Sequence, residues 1–152
     1  SKTYAMTGWR LGYGIWPNTL FEYAEKLAVN SYSCPNAASQ HAGIAALEGP
    51  QDQVDQMLDA FDERRKAVVH GLNAISGITC VEPKGAFYAF PNVQETGFNT
   101  RDLQQRLLEE TGVALVAGTS FGALGEGYLR VSYANSLENV NEAVSRINDF
   151  LS

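Results

Sequence analysis

The stretch Ser1-Lys2-Thr3-Tyr4-Ala5-Met6-Thr7-Gly8-Trp9-Arg10-Leu11-Gly12-Tyr13 sets a lysine and an arginine eight residues apart with a glycine between them. Fully extended, that spacing holds the two Cα atoms roughly 26 Å apart, at about 3.3 Å per residue. Thr7-Gly8 reads as the reversal point, because glycine accepts the positive φ of a tight turn. A chain that doubles back there brings both cations to one anionic ligand, the lysine as a covalent amine and the arginine as a phosphate clamp. Arginine suits phosphate because its planar fork meets two oxygens at once. An amine becomes a useful nucleophile when burial or neighbouring cations lower its pKa. Taken alone, a lysine in such a place is a solvated surface group, so the stretch acquires chemical meaning only from the rest of the chain.

That rest has ordinary globular composition: 152 residues, 45% hydrophobic and 18% charged. The excess of acidic over basic residues leaves a net charge of −6 and a pI near 4.8. Nucleic-acid binding normally needs a basic face, so no nucleic-acid partner is expected. No apolar run approaches the roughly 20 residues of a membrane span, so no membrane partner is expected either. Cys34 and Cys80 make no disulfide framework and read as free thiols in a cytoplasmic protein. His41 and His70 lack paired ligand spacing, and no metal is expected. The first methionine is Met6, and the densest cluster of special residues stands where chains usually fray. The expectation is a piece of a longer protein, cut just upstream of Lys2.

Residues 1–16 read as two short strands or extended arms. Pro17-Asn18-Thr19 starts a helix through Ala28, with Leu20, Tyr23, Ala24 and Leu27 on one face. Asn30 to Pro35 breaks the pattern, and an alanine-rich helix follows from Ala37 to Glu48. Gly49-Pro50 separates it from a long amphipathic helix reaching about Ala74. Beyond Gly77 the signals alternate: strands at 78–82 and 86–90, a helix from Arg101 to about Glu110 capped by Thr100, and strands at 113–117 and 128–133. Between the last two strands, Gly118 to Gly127 reads as a flexible loop. Ser136 caps the closing helix, with Val140, Ala143, Val144, Ile147 and Leu151 inward. The second half is therefore α/β, a small sheet covered by helices.

Arg130 is the second informative cation. In Tyr128-Leu129-Arg130-Val131-Ser132-Tyr133, strand alternation puts Tyr128, Arg130 and Ser132 on one face. The bland reading is an arginine on the wet side of a strand; the functional one is a bidentate grip on a carboxylate, beside a glycine-rich loop that lets backbone approach a small ligand. Phe87 and Tyr88 read as core or pocket wall rather than as catalytic groups, and Tyr32-Ser33-Cys34-Pro35-Asn36 as a polar turn between helices.

Four of these stretches, in order, resemble one family. Ser1 to Tyr13 is similar to the lysine motif of class I/II aminotransferases, the aspartate aminotransferase-like enzymes of fold type I that use pyridoxal 5'-phosphate. Pro83-Lys84-Gly85-Ala86-Phe87-Tyr88, Gly112-Val113 through Ser120-Phe121-Gly122, and Leu129-Arg130-Val131-Ser132-Tyr133-Ala134 agree with it. The resemblance implies that Lys2 carries the cofactor covalently and moves the proton during catalysis, that Arg10 and Ser1 hold the cofactor phosphate, and that Arg130 grips the substrate α-carboxylate. More weakly, it implies that Ser33 reaches the cofactor phosphate of a partner subunit. It implies residues 1–35 as the end of a cofactor-binding large domain with its connection, and 36–152 as a C-terminal small domain with a mainly antiparallel sheet. The implied activity exchanges amino and keto groups between an amino acid and a 2-oxo acid, in a homodimer.

Two departures matter. Ala117 stands where the family loop usually has proline, and Val29 stands where some aspartate-specific members carry a side-chain-binding arginine. The second argues against that mode of dicarboxylate recognition, though not against aspartate as a substrate. An acidic partner for the pyridine nitrogen is also missing, and the piece alone is expected to be inactive. A lyase or acyltransferase on the same fold, and the aminotransferase-like sensor domain of a transcriptional regulator, are the alternatives.

Overall fold

The computed structural model describes all 152 residues, and they divide into two compact units, Ser1–Gln56 and Met57–Ser152. In the first unit, helix α1 (Asn18–Tyr32) begins directly after Pro17, whose φ of −57° suits a helix start. It runs past the expected stop at Ala28, because the Asn30 side chain donates back to Lys26 O at 2.6 Å instead of ending the helix. Helix α2 (Ala37–Glu48) matches its expected span. Its cap is Asn36, whose Oδ1 accepts from the backbone N–H groups of Ala38 and Ser39.

The strands expected in residues 1–16 do not form: residues 1–10 are wound into turns, and residues 11–17 form neither helix nor strand. In the turns, backbone groups bond locally instead, Ala5 N–H to Lys2 O at 3.1 Å and Met6 N–H to Ser1 O at 2.7 Å. A short 3-10 turn follows at Thr7–Trp9. Positive φ falls on Ala5 and Arg10, both at 52°, and not on Gly8. A 3-10 turn needs negative φ throughout, so the reversal is built on either side of the glycine.

Helix α3 (Asp52–Asn73) starts in the first unit and runs into the second, where Val68 and Leu72 are fully buried. The sheet there is small and antiparallel, as expected: β1 (Tyr88–Ala89), β2 (Val116–Ala117) and β3 (Leu129–Ser132), with β3 in the centre. Tyr88 pairs with Ser132 and Ala89 with Val131; on the other side Val116 pairs with Arg130 and Ala117 with Leu129. The strands are shorter than their sequences imply. The expected strand at 78–82 is only a bridge, Thr79 to Asn92. The reason is local: Asn73 caps the next rung with its side chain, accepting from Cys80 N–H at 2.8 Å and donating to Cys80 O at 2.9 Å.

Helix α4 (Thr100–Arg106) continues as a π-helical turn, Leu107–Thr111, that Gly112 ends at φ 74°. Its cap is Asn99, whose side chain accepts from Arg101 N–H, and not Thr100. Thr100 is buried, and its hydroxyl donates to Glu126 Oε1 and accepts from Gly127 N–H, both at 2.8 Å. Helix α5 (Leu137–Leu151) is capped by Ser136 as expected and turns Val140 and Ile147 into the core. Leu103, Leu107, Ala89, Val93 and Tyr133 complete that core. Helices α3 and α5 meet closely at Gly71, where a Cβ would lie 2.6 Å from Val144 Cγ1. No helix is long and apolar enough to cross a membrane.

Candidate functional site

The residues singled out by the sequence fall in both units: Ser1, Lys2, Arg10 and Ser33 in the first, Arg130 in the second. Within the first, the opening stretch does double back. Ser1 Oγ donates to Leu11 O at 3.2 Å, so the neighbours of Lys2 and Arg10 are in hydrogen-bond contact. Ser39 Oγ fastens the turn to α2 by donating to Trp9 O at 3.0 Å, and Ser39 is the buried polar residue of this unit.

Arg10 sits in the left-handed region, a conformation that costs a side-chain-bearing residue energy and marks positions held for a reason. One guanidinium nitrogen donates to Thr7 O at 3.3 Å, and neither Lys2 nor Arg10 belongs to an ion pair. The first acidic residue of the chain is Glu22, so the turn carries an amine, a guanidinium and hydroxyls with no carboxylate among them. That donor set suits a ligand bearing a phosphate and an amine-reactive carbonyl. Ser33 ends α1 at φ 62°, ψ −83°, a second strained residue, and its side chain is exposed.

In the second unit, β3 presents its residues alternately. Leu129 and Val131 are buried, while Arg130 is half-buried and Ser132 exposed. Tyr88, paired with Ser132, shares the face of Arg130. The guanidinium carbon of Arg130 lies 4.4 Å from the centre of the Tyr88 ring and 4.4 Å from that of Phe121. Phe90 extends the aromatic surface, stacked on Tyr128 at 5.3 Å and edge-on to Phe121 at 6.4 Å. No carboxylate pairs with Arg130, although five ion pairs form elsewhere in the chain. The arginine is thus held by aromatic faces with its in-plane donors unclaimed, an arrangement fit for a carboxylate.

The loop that delivers Phe121 is wound rather than loose. Two 3-10 turns, Gly118–Phe121 and Ala123–Gly125, are tied back by Gly118 N–H to Tyr128 O at 2.8 Å and Tyr128 N–H to Gly125 O at 3.2 Å. Gly118 and Gly125 cross so closely that a Cβ on Gly118 would lie 2.2 Å from Gly125 O. Its glycines therefore serve a backbone crossing. The aromatic surround of Arg130 was missed: the alternation in β3 shows which residues share its face, but not that β1 pairs with it in the register that adds Tyr88.

Two titrating groups bear on the chemistry by exclusion. Burial pushes the Cys80 thiol up, which makes it a poor nucleophile. Burial likewise raises the Tyr133 hydroxyl, which donates to Ala86 O at 3.1 Å.

Comparison with known proteins bears on the whole chain. Residues 1–147 match the family model described as aminotransferase class I and II. Aspartate aminotransferase from Pyrococcus horikoshii is 46% identical over 151 residues, covering 97% of this chain and 38% of that protein. The enzyme of the same name from Geobacillus stearothermophilus is 45% identical, covering 99% and 39%. Among solved structures, an aromatic aminotransferase from Pyrococcus horikoshii superimposes with a TM-score of 0.94 at 40% identity, over 99% of this chain and 41% of that one. The chain therefore spans about two fifths of the length of these relatives.

Proposed function

The chain belongs to the class I and II aminotransferase family, and on that footing we propose that it is the C-terminal part of an enzyme that uses pyridoxal 5'-phosphate to exchange amino and keto groups between an amino acid and a 2-oxo acid. The observation that supports this reading is the carboxylate-free turn of Ser1, Lys2 and Arg10, in a chain where a further arginine, Arg130, is held by aromatic rings with its donors free.

The roles are those the family resemblance implies, and the residue chemistry agrees with them. Lys2 Nζ would hold the cofactor covalently, and its amine would take and return the proton at the substrate Cα. Arg10 and Ser1 would hold the phosphate, the first by its fork and the second by its hydroxyl. Arg130 holds the α-carboxylate and so fixes which bond at Cα is aligned for cleavage. Bound there, the cofactor supplies an electron sink for the pair left at Cα. Ser33 extends to a partner subunit's phosphate. Residues 1–35 are assigned to the large domain and its connection and 36–152 to the small domain, in a cytoplasmic homodimer; packing within this chain groups α2 with the first unit.

The test uses the full-length protein, with L-aspartate, L-alanine and L-tyrosine as donors and 2-oxoglutarate as acceptor. Lys2→Ala is expected to lower kcat by about 10³-fold or more, and Arg130→Ala to lower kcat/KM by at least tenfold. Turnover by Lys2→Ala at the wild-type rate, or no transfer by the wild type from any donor, overturns the reading.

A further inference from the structure

Arg130 has four side-chain torsions, and ordering such a side chain on binding costs affinity. A guanidinium is weakly hydrated on its two faces and donates only in its plane. A ring stacked against a face therefore removes rotational freedom without using a donor. The guanidinium carbon of Arg130 lies over the Tyr88 ring and over the Phe121 ring, 4.4 Å from each ring centre. Both rings therefore present a face to the same guanidinium.

Each ring is brought there by a separate device. Tyr88 arrives through the register of β1 on β3, as the diagonal cross-strand neighbour of Arg130. Phe121 arrives through the glycine crossing at Gly118 and Gly125, which turns the loop back over the sheet face. Phe90 supports Phe121 from the side, at 6.4 Å, edge to face.

We propose that Tyr88 and Phe121 are positioning residues, two aromatic plates that pre-align Arg130 for a carboxylate and so set the efficiency with which amino acid substrates are captured. The proposal rests on the reading of Arg130 as the carboxylate grip. The plates act through Arg130 and not on the reacting atoms, so their loss raises KM more than it lowers kcat. Removing one plate is expected to lower kcat/KM by about 3- to 30-fold, the range of one cation–π contact between exposed and desolvated settings.

The experiment is a double-mutant cycle in the full-length protein, using the fastest donor among L-aspartate, L-alanine and L-tyrosine. Tyr88→Leu and Phe121→Leu are each measured with Arg130 present and in an Arg130→Ala background. The loss is expected with Arg130 and is expected to shrink below about twofold without it, since a plate has nothing left to align. Tyr88→Phe, which keeps the ring and drops the hydroxyl, is expected to recover most of the loss. Equal losses in both backgrounds, or wild-type kcat/KM in both leucine variants, overturn the proposal. Phe121 is 53% exposed, so its replacement leaves the core intact and decides the matter even if Tyr88→Leu fails to fold. An Arg130→Ala enzyme with wild-type kcat/KM instead removes the reading of Arg130 itself, a separate result.

Discussion

Leu103 and Leu107 in the second unit are fully buried, whereas Leu27 in the first is 69% exposed and Leu47 is 53% exposed. The contrast runs through both units. Residues 57–152 gather α3, α4, α5 and the sheet around one core. Residues 1–56 bury Ser39 and leave Trp9, Ile15, Trp16, Phe21 and Tyr23 largely open to solvent. An apolar helical face with nothing over it marks an interaction surface. The cofactor chemistry belongs, on the proposed reading, to the opening turn of this uncovered unit and the carboxylate grip, Arg130, to the packed one. On the proposed reading, the remainder of the large domain and a second subunit provide the cover.

The contrast can be broken most decisively by activity. The isolated 152-residue chain is expected to show no amino-group transfer, since on the proposed reading Lys2 and Arg10 need the remainder of the large domain to complete the site. Substantial turnover by that piece in an assay of 2-oxo acid formation would break the comparison. Next in size are paired truncations in the same chain. Leu103→Ala is expected to cost about 2–5 kcal/mol in urea denaturation, as for a buried leucine. Leu27→Ala is expected to stay within about 0.5 kcal/mol, because it removes little from cover. Similar losses at both positions would contradict the division.

Thiol chemistry sharpens the same contrast. Cys34 is exposed and Cys80 is buried, with its thiol pushed up by burial. Iodoacetamide on the native chain is expected to modify Cys34 and to reach Cys80 only on unfolding. The smallest effect is electrostatic and lies in the packed unit. Hydrogen bonds from Lys66 and then Arg65 hold the Asp62 carboxyl below its ordinary value of 3.8. A depressed carboxylate stabilises the fold fully above its unfolded pKa, and the gain is lost as pH falls through the folded value. Asp62→Asn is therefore expected to be slightly less stable at neutral pH, with the gap closing below about pH 4. Asp62 and Arg65 are half-buried and Lys66 is exposed, all within reach of solvent, so the gap is small and shrinks with salt.

Much of this was legible in the sequence where the signal is periodic. The spans of α2 and α5, the Ser136 cap and the shared face of Arg130 and Ser132 all follow from residue type, apolar spacing and strand alternation. What escaped depends on partners distant in sequence. The face of Leu20, Tyr23 and Leu27 is correctly placed on one side of α1, yet helical period does not say whether anything covers it. Thr100 looks like a cap by residue type, but Asn99 sits one position earlier with the same chemistry, which frees Thr100 to pin Gly127. The strand expected at 78–82 has suitable residues and fails because Asn73 satisfies its backbone first. In the opening stretch, the reversal was legible, but its left-handed residues were not, because Ala5 and Arg10 adopt them in place of Gly8.

The central claim is that the amine of Lys2 carries the cofactor. Borohydride reduction of the full-length protein with pyridoxal 5'-phosphate, followed by proteolysis and mass spectrometry, tests it directly. The account predicts the reduced pyridoxyl adduct on the peptide containing Lys2. An adduct on any other residue, or none, would contradict it.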